Sequence, residues 1–275
     1  MGKVAAIDSK GGNNYHKKGH DYDPYLRSFM QGAGGTESNW EMEEHTDSTL
    51  IIRGLGGGSQ KAIKKCWATG RPFFAIDTGY FGNAKHKTWH RITYNALQNM
   101  HEMIKQPEDR LEIQLGKFKE IYKPFTPGSK IMVCPPSDKV MNMFDQGTAQ
   151  QWTNQLVTQL KTLTDRPIEI RMKPIRSERI STKTIQDALQ DDVHCLITYN
   201  SIAATEALME GKPAITLGPN AAQLICETDL VNLETPRIPT EDEMYEFLIH
   251  LSYSQFTQAE MEDGTAWRIL QETQV

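Results

Sequence analysis

The sequence predicts an open α/β fold built from two parallel sheets, and three observations carry that expectation. Residues 130–217 alternate short apolar runs with stretches of helical periodicity, the pattern of βαβ units. In the first half, three apolar strand ends each open into a polar or glycine-rich turn. Between the halves, Tyr122-Lys-Pro-Phe-Thr-Pro-Gly-Ser129 places two prolines and a glycine where neither helix nor strand continues. This seam divides the 275 residues into a first domain over 1–125 and a second over 126–275, each of ordinary domain size.

In the second domain, Lys130–Cys134 is a short apolar run closed by Pro135-Pro136 and reads as a buried strand. Thr148–Thr164 carries Trp152, Leu156, Leu160 and Leu163 at helical spacing. Pro167–Pro174 alternates and reads as a second strand. A short helix fits Ser181–Gln190, with Ser181 as its N-cap. His194–Tyr199 is a third strand, Ser201–Glu210 a helix stopped by Gly211, and Ala214–Leu217 a fourth strand. In the first domain, Val4–Ile7 runs into the polar loop that starts at Asp8, and Leu50–Ile52 runs into Gly54-Leu-Gly-Gly-Gly58. A helix over Gln60–Thr69 leads through Gly70 to a strand over Pro72–Ile76 and the turn Asp77-Thr-Gly-Tyr-Phe-Gly82. Ligands of open α/β sheets bind at the carboxyl ends of the strands, so these turns hold the candidate residues.

Composition narrows the function classes. No apolar run approaches the length of a membrane span, and the opening MGKVAAIDSKGG lacks the apolar stretch of a signal peptide. A myristoylation site would want Ser or Thr where Ala6 stands. Cys66, Cys134, Cys195 and Cys226 are scattered without metal-site spacing, as suits reduced thiols. A soluble cytoplasmic protein, monomer or homodimer, is expected. Neither GxxxxGK[ST] nor a GxGxxG after the first strand is present, which disfavours an ATPase and a dinucleotide dehydrogenase. The formal charge of −5 divides unevenly, as +4 over 1–125, zero over 126–226 and −9 over 227–275. A basic first half leaves room for an anionic partner despite the acidic total.

The segment with most chemistry is Tyr199-Asn-Ser-Ile-Ala-Ala-Thr-Glu-Ala-Leu208, followed by Gly211-Lys-Pro213 and Gly218. A strand that ends in Asn200-Ser201 and leads into a helix offers free N–H groups and a positive dipole end to an anion. Glu206, five residues along, stands about one and a half turns up that helix. There its carboxylate can meet the vicinal hydroxyls of a ribose, although an ordinary capped helix with a solvated Glu would look the same. At the preceding strand's end, Lys173, Arg176 and Arg179 are cations that can neutralise a diphosphate.

Taken together, this segment resembles the donor-binding part of GT-B nucleotide-sugar glycosyltransferases, the capsule-polysaccharide branch in particular. The resemblance rests on Thr198-Tyr-Asn-Ser201, Glu206-Ala-Leu208 and Gly211-Lys-Pro213, over about 20 residues of matching spacing. Lys173 stands where that family often has a histidine before the proline. It implies two Rossmann-like domains facing across a cleft, acceptor domain first. It also implies a UDP-sugar held by Lys173, Arg176, Asn200, Ser201, Glu206 and Gly218, with no cofactor or catalytic metal required. The C-terminal segment ending in Thr265-Ala-Trp-Arg-Ile-Leu270 is expected to cross back onto the first domain, as in that fold.

On the acceptor side, Asp77 ends an apolar strand and is the first candidate for the general base, or else caps its own turn through the Thr78 and Gly79 amides. His20, His90 and Asp8 are lesser candidates. Lys85-His-Lys-Thr-Trp-His-Arg91 joins cations to an aromatic, a pattern suited to phosphate contact and base stacking. Arg53, Lys85, Lys87, Trp89 and Arg91 are the acceptor-binding candidates. Arg71-Pro-Phe-Phe-Ala-Ile-Asp-Thr-Gly-Tyr-Phe-Gly82, followed by Trp89-His-Arg-Ile-Thr-Tyr-Asn-Ala-Leu97, is similar to a segment of small phage- and capsule-type transferases. It points to double-stranded DNA bearing 5-hydroxymethylcytosine, as acted on by T-even-type phage enzymes, with arabinose or glucose transferred and the target base extruded. The rival acceptors are a polysaccharide or lipid-linked glycan, whose site should be neutral and aromatic. A third reading is a non-catalytic nucleotide-sugar-binding module.

Overall fold

The computed structural model describes residues 4–7, 23–38, 48–56, 58–83, 88–173 and 183–275. By their contacts, Met1–Ile104 and His250–Val275 form one compact unit, and Lys105–Ile249 a second.

In the first unit, β1 (Val4–Ile7), α1 (Pro24–Gly32), β2 (Thr36–Ser38), β3 (Thr49–Arg53), α2 (Ser59–Thr69), β4 (Phe73–Thr78) and β5 (His90–Tyr94) follow one another. β1 pairs in parallel with β2 on one side and β3 on the other, and β4 continues beyond β3. The parallel strands therefore stand in the order second, first, third, fourth. β5 then joins β4 antiparallel. Local sequence sets the ends of these elements: Asp23 caps α1 with Pro24 at its first turn, and Gly70 ends α2 at φ 67°.

The second unit begins with α3 (Asp109–Leu115) and α4 (Phe118–Ile121). It continues through β6 (Lys130–Cys134), α5 (Asp138–Met143), α6 (Ala149–Leu163), β7 (Ile168–Ile170), α7 (Ile185–Leu189), β8 (Val193–Thr198), α8 (Ala203–Met209) and β9 (Ala214–Thr216). All four strands are parallel in the order β7-β6-β8-β9, the same second-first-third-fourth arrangement. In such a sheet the connections leave β6 and β8 in opposite directions, and a crevice opens between their carboxyl ends. The core is Ile131, Val133, Leu156, Leu160, Cys195, Ile197 and Ile215. Thr148 and Gln151 close a reciprocal capping box that starts α6. α9 (Glu241–Ser252) then leads the chain into its last segment.

That segment completes the first unit. β10 (Gln255–Phe256) pairs antiparallel with β5, and α10 (Gln258–Glu262) and α11 (Thr265–Thr273) follow. Phe256, Met261, Ile269 and Leu270 share one core with Leu26, Phe29, Ile51, Phe74 and Ile92. Trp267 stands 5.5 Å from Phe74 and 6.1 Å from Phe29, ring to ring.

Three boundaries differ from the sequence expectation. The division falls after Ile104 rather than after residue 125, because 105–125 packs within the second unit. Phe118 lies 5.1 Å from the Tyr245 ring, and Glu108 accepts from both the Phe118 amide and the Tyr245 hydroxyl. The Pro-Gly seam is bolted down by Lys212, whose Nζ donates to Thr126 Oγ1 at 2.8 Å, and by Lys123 paired to Glu210 at 2.6 Å. The strand expected over Pro167–Pro174 is only Ile168–Ile170, an edge strand after which Met172 and Lys173 are exposed. The helix expected from Ser181 is Ile185–Leu189, capped by Thr184 with Asp187, and Ser181 lies outside the described residues.

A glycine permits the docking of the C-terminal segment. A Cβ on Gly32, the last residue of α1, would lie 2.0 Å from the Met261 carbonyl oxygen and 2.8 Å from the Gly264 nitrogen. Both obstacles are backbone, so Gly32→Ala should destabilise the protein by about 1–3 kcal/mol in denaturant titration. Gly56→Ala, with open space around it, should stay within about 0.5 kcal/mol of the parent.

Candidate functional site

The registers of the second sheet bring four turns to one rim. Cys134 pairs with Thr198, Thr198 with Thr216, and Val133 with Ile170. Pro135–Ser137, Arg171–Lys173, Tyr199–Ser201 and Leu217–Asn220 therefore leave the sheet on the same side. Tyr199–Ser201 follows β8 at the crevice beside β6, the position where open sheets of this order take ligands.

Side chains stitch this rim together. The Asn200 amide donates to the Pro219 carbonyl, and Asn220 Nδ2 donates to the Ser201 carbonyl at 2.9 Å. Asn220 Oδ1 accepts from the Ala222 amide at 3.0 Å, and Thr198 Oγ1 donates to the Cys134 carbonyl at 2.7 Å. Gly218 is buried against the Tyr199 ring, where an added Cβ would come within 2.5 Å of ring carbons. Tyr199 in turn meets Phe144 at 5.7 Å and Trp152 at 6.2 Å. Gly218 and Asn200, expected as donor contacts, thus shape the turns from within. Ser201 Oγ accepts from the Ala203 amide at 3.2 Å, so one N–H at the start of α8 is already satisfied. Asn220 escaped the sequence reading, where it follows a Gly-Pro turn and carries no motif.

Glu206 is half-buried on α8 and accepts from Gln186 Nε2 on α7 at 3.2 Å. Burial pushes its carboxyl up to about 7, opposed by the Gln186 hydrogen bond and by the nearby charges of Lys173 and Arg171. Lys173 is exposed at the end of β7. Arg171 bonds to the Lys183 carbonyl through its guanidinium and to Val133 through its backbone amide. An acid poised near neutrality beside two cations is the group here that most suits a polar, anionic ligand. Arg176 and Arg179 lie outside the described residues.

In the first unit, Asp77 ends β4 with its side chain 47% exposed. Its Oδ1 accepts from the Thr78 amide at 2.7 Å and its Oδ2 from Arg91 at 3.0 Å. Arg91 is buried, bonds also to the Thr78 and Leu97 carbonyls, and sits over the Tyr80 ring. It is thus an internal clamp on Asp77, not a cation presented to a polyanion. Arg53 is likewise ion-paired to Asp23 and lies 4.4 Å over the Tyr25 ring. His90, fully buried, meets the same Tyr25 ring at 3.8 Å in a tilted arrangement. Asp23 belongs to the acid-x-acid triplet Asp21-Tyr22-Asp23, so the sequence does contain a DxD spacing, contrary to the expectation that it holds none. Its oxygens are engaged by the α1 amides and Arg53. Trp89 is half-buried, and its backbone is held at both N and O by Asn83, at 2.8 and 2.7 Å. Lys85, Lys87, His20 and Asp8 lie outside the described residues. Among the described residues no cluster of His, Cys, Asp and Glu forms a metal-holding group, and no helix is long and apolar enough to cross a membrane.

No protein-family model matches the chain, and no curated protein matches it. Among solved structures it is similar to two described as KpsC from Thermosulfurimonas dismutans. One, described as a beta Kdo 2,4 transferase, has a TM-score of 0.54 at 15% identity, covering 93% of this chain and 92% of that one. The other, described as a beta Kdo 2,7 transferase, has a TM-score of 0.50 at 9% identity, covering 97% and 99%. At these identities the likeness is one of fold. The chain has an α/β, Rossmann-like architecture similar to that of these two structures.

Glu206 makes stability depend on pH. Its carboxyl ionises near its ordinary 4.5 when unfolded and near 7 when folded, so the native state keeps a proton that the unfolded state loses. Stability contributed at this site is complete below about pH 4.5 and is lost as pH rises through 7. Glu206→Gln should match the parent near pH 4 and exceed it at pH 8 by about 1–3 kcal/mol in urea titrations. Other titrating groups are common to both proteins and cancel in the difference.

Proposed function

We propose that the protein is a glycosyltransferase that takes a sugar from a UDP-linked donor and passes it to a hydroxyl of a glycan. The observation that carries this reading is the gathering of Glu206, Lys173 and Arg171 at the switch-point rim of the second sheet. Glu206 accepts hydrogen bonds from the ribose hydroxyls. Lys173, with Arg176, neutralises the diphosphate. A general base takes the proton from the acceptor hydroxyl. The acceptor oxygen then bonds to the anomeric carbon while the bond from that carbon to the diphosphate breaks. The leaving group carries away the electron pair, and the cations stabilise its charge.

The fold likeness to transferases supports the reaction class. The choice of a glycan over DNA is supported by the fate of the basic candidates, since Arg53 and Arg91 are spent on Asp23 and Asp77. A sugar acceptor needs no excess of cations, whereas duplex DNA binds chiefly through them.

The test is UDP release from a panel of UDP-sugars, with glycan acceptors in one arm and hydroxymethylated duplex DNA in the other. Release is expected to rise with a glycan. Glu206→Ala should raise the donor KM by about 10–100-fold, the worth of hydrogen bonds to a charged acceptor. Lys173→Ala should have a smaller effect in the same direction. Stimulation only by hydroxymethylated DNA, fading steeply with salt, would move the acceptor to DNA. Donor binding without turnover in either arm would leave a nucleotide-sugar-binding module.

A further inference from the structure

α7 and α8 pack side by side, and their facing side chains repeat one pairing a helical turn apart. Gln186 Nε2 donates to Glu206 Oε1 at 3.2 Å, and Gln190 Nε2 donates to Glu210 Oε2 at 2.7 Å. The two pairs differ in what else reaches them. Glu210 Oε2 is also bound by Lys123 at 2.6 Å, so it belongs to the clamp on the Pro-Gly seam. Glu206 has no ion pair within 4 Å among the described residues, and Gln186 gives the one hydrogen bond to its carboxylate there. Gln186 itself is exposed, while Glu206 is half-buried.

We propose that Gln186 is a positioning residue of the nucleotide site, holding one oxygen of Glu206 so that the other is aimed at the ligand's vicinal hydroxyls. The proposal rests on the reading of Glu206 as the ribose-binding acid. A glutamate carries its carboxylate on three rotatable bonds, and binding stops their motion at an entropic cost. A carboxylate already fixed by a neighbour loses less freedom when the ligand arrives. Only one oxygen is needed for this, which leaves the second for the ligand.

The same bond has an electrostatic side. The amide donor favours the charged carboxylate, together with Lys173 and Arg171 from the end of β7, while burial and Glu210 on the same helix oppose it. Removing the donor therefore raises the pH at which Glu206 becomes a full acceptor. A residue that merely supports the packing of α7 would weaken binding without moving that pH.

The experiment is calorimetric titration with UDP, and with GDP and CMP alongside, from pH 5.5 to 8.5. The proteins are the parent, Gln186→Leu, Gln190→Leu and Glu206→Ala, each checked for native circular dichroism. Gln186→Leu is expected to weaken nucleotide binding at pH 7 by about 2–10-fold, the worth of one hydrogen bond. It should also shift the pH midpoint of binding upward, while Gln190→Leu leaves both unchanged. If Glu206→Ala abolishes binding but Gln186→Leu keeps the parent's affinity and midpoint, the positioning role is overturned and the site reading stands. Equal losses in Gln186→Leu and Gln190→Leu, with no shift in midpoint, would also overturn it. If Glu206→Ala binds like the parent, or no nucleotide binds the parent, the site reading fails and this role with it.

Discussion

Buried Asn220 holds the rim of the second sheet in one arrangement. It reaches back across the rim to the Ser201 carbonyl and forward to its own turn at Ala222, while Asn200 returns a bond to Pro219. These turns follow neighbouring parallel strands, and nothing in the strand ladder itself fixes how they lie once pairing stops. An unsatisfied buried amide would be costly, so the two asparagines tie both turns to a single geometry. Tyr199 then seats on Gly218, Ser201 Oγ accepts from the first amide of α8, and Glu206 emerges on the face that α7 covers. The chemistry proposed for Glu206 depends on that chain of contacts more than on the helix start alone.

Strand identity was legible because it follows from apolar runs between turn residues. Lys130–Cys134 and Val4–Ile7 match their expected bounds, and α2 and α6 start within a residue of expectation. The unit boundary was less legible. Prolines and a glycine announce that regular structure stops, but not which neighbour the interrupted chain will pack against. Thr126 is held by Lys212, 86 residues away, and Phe118 by Tyr245. Those partners are set by tertiary packing, which the local pattern does not encode. The same holds for β10, two residues long and recruited by β5 through pairing at Arg91 and His90.

The site shows a similar division. The positions of Glu206 on its helix and Lys173 beyond its strand were legible because helix and strand geometry follow from the sequence pattern. Arg53 and Arg91 were chosen for their charge, and charge in a sequence carries no information about its partner. Each has an acid within reach only after folding. The buried cluster under the β4 turn was invisible for that reason too. The Tyr80 hydroxyl accepts from the Asn99 amide, Asn99 bonds Ser254, and Gln255 accepts from the amides of Tyr80 and Phe81. Burial pushes the Tyr80 phenol up to about 12. The His250 imidazole, also buried, is pushed down to about 4 by desolvation and by His101. Gln186 offered no signal at all, since an exposed glutamine in a short helix is unremarked until its neighbour is known.

The charge map itself reads differently once partners are assigned. The acidic excess over 227–275 is largely helix chemistry. Glu241, Asp242 and Glu243 occupy the first turn of α9, Glu260 completes the capping box of α10, and Asp263 accepts from the Thr265 amide ahead of α11. Acids at helix starts are favoured by the exposed N–H groups and the dipole there. Glu234 and Glu243 pair with Arg166 and Arg237. In the first unit the described arginines nearest the strand ends face inward to acids of their own. The −9 over 227–275 thus arises largely from local structural roles, while Arg53 and Arg91 in the basic stretch are each neutralised by an acid of their own. What distinguishes the second unit's rim is a half-buried acid and two cations set close enough to influence one another, and that local arrangement is the better guide to the ligand.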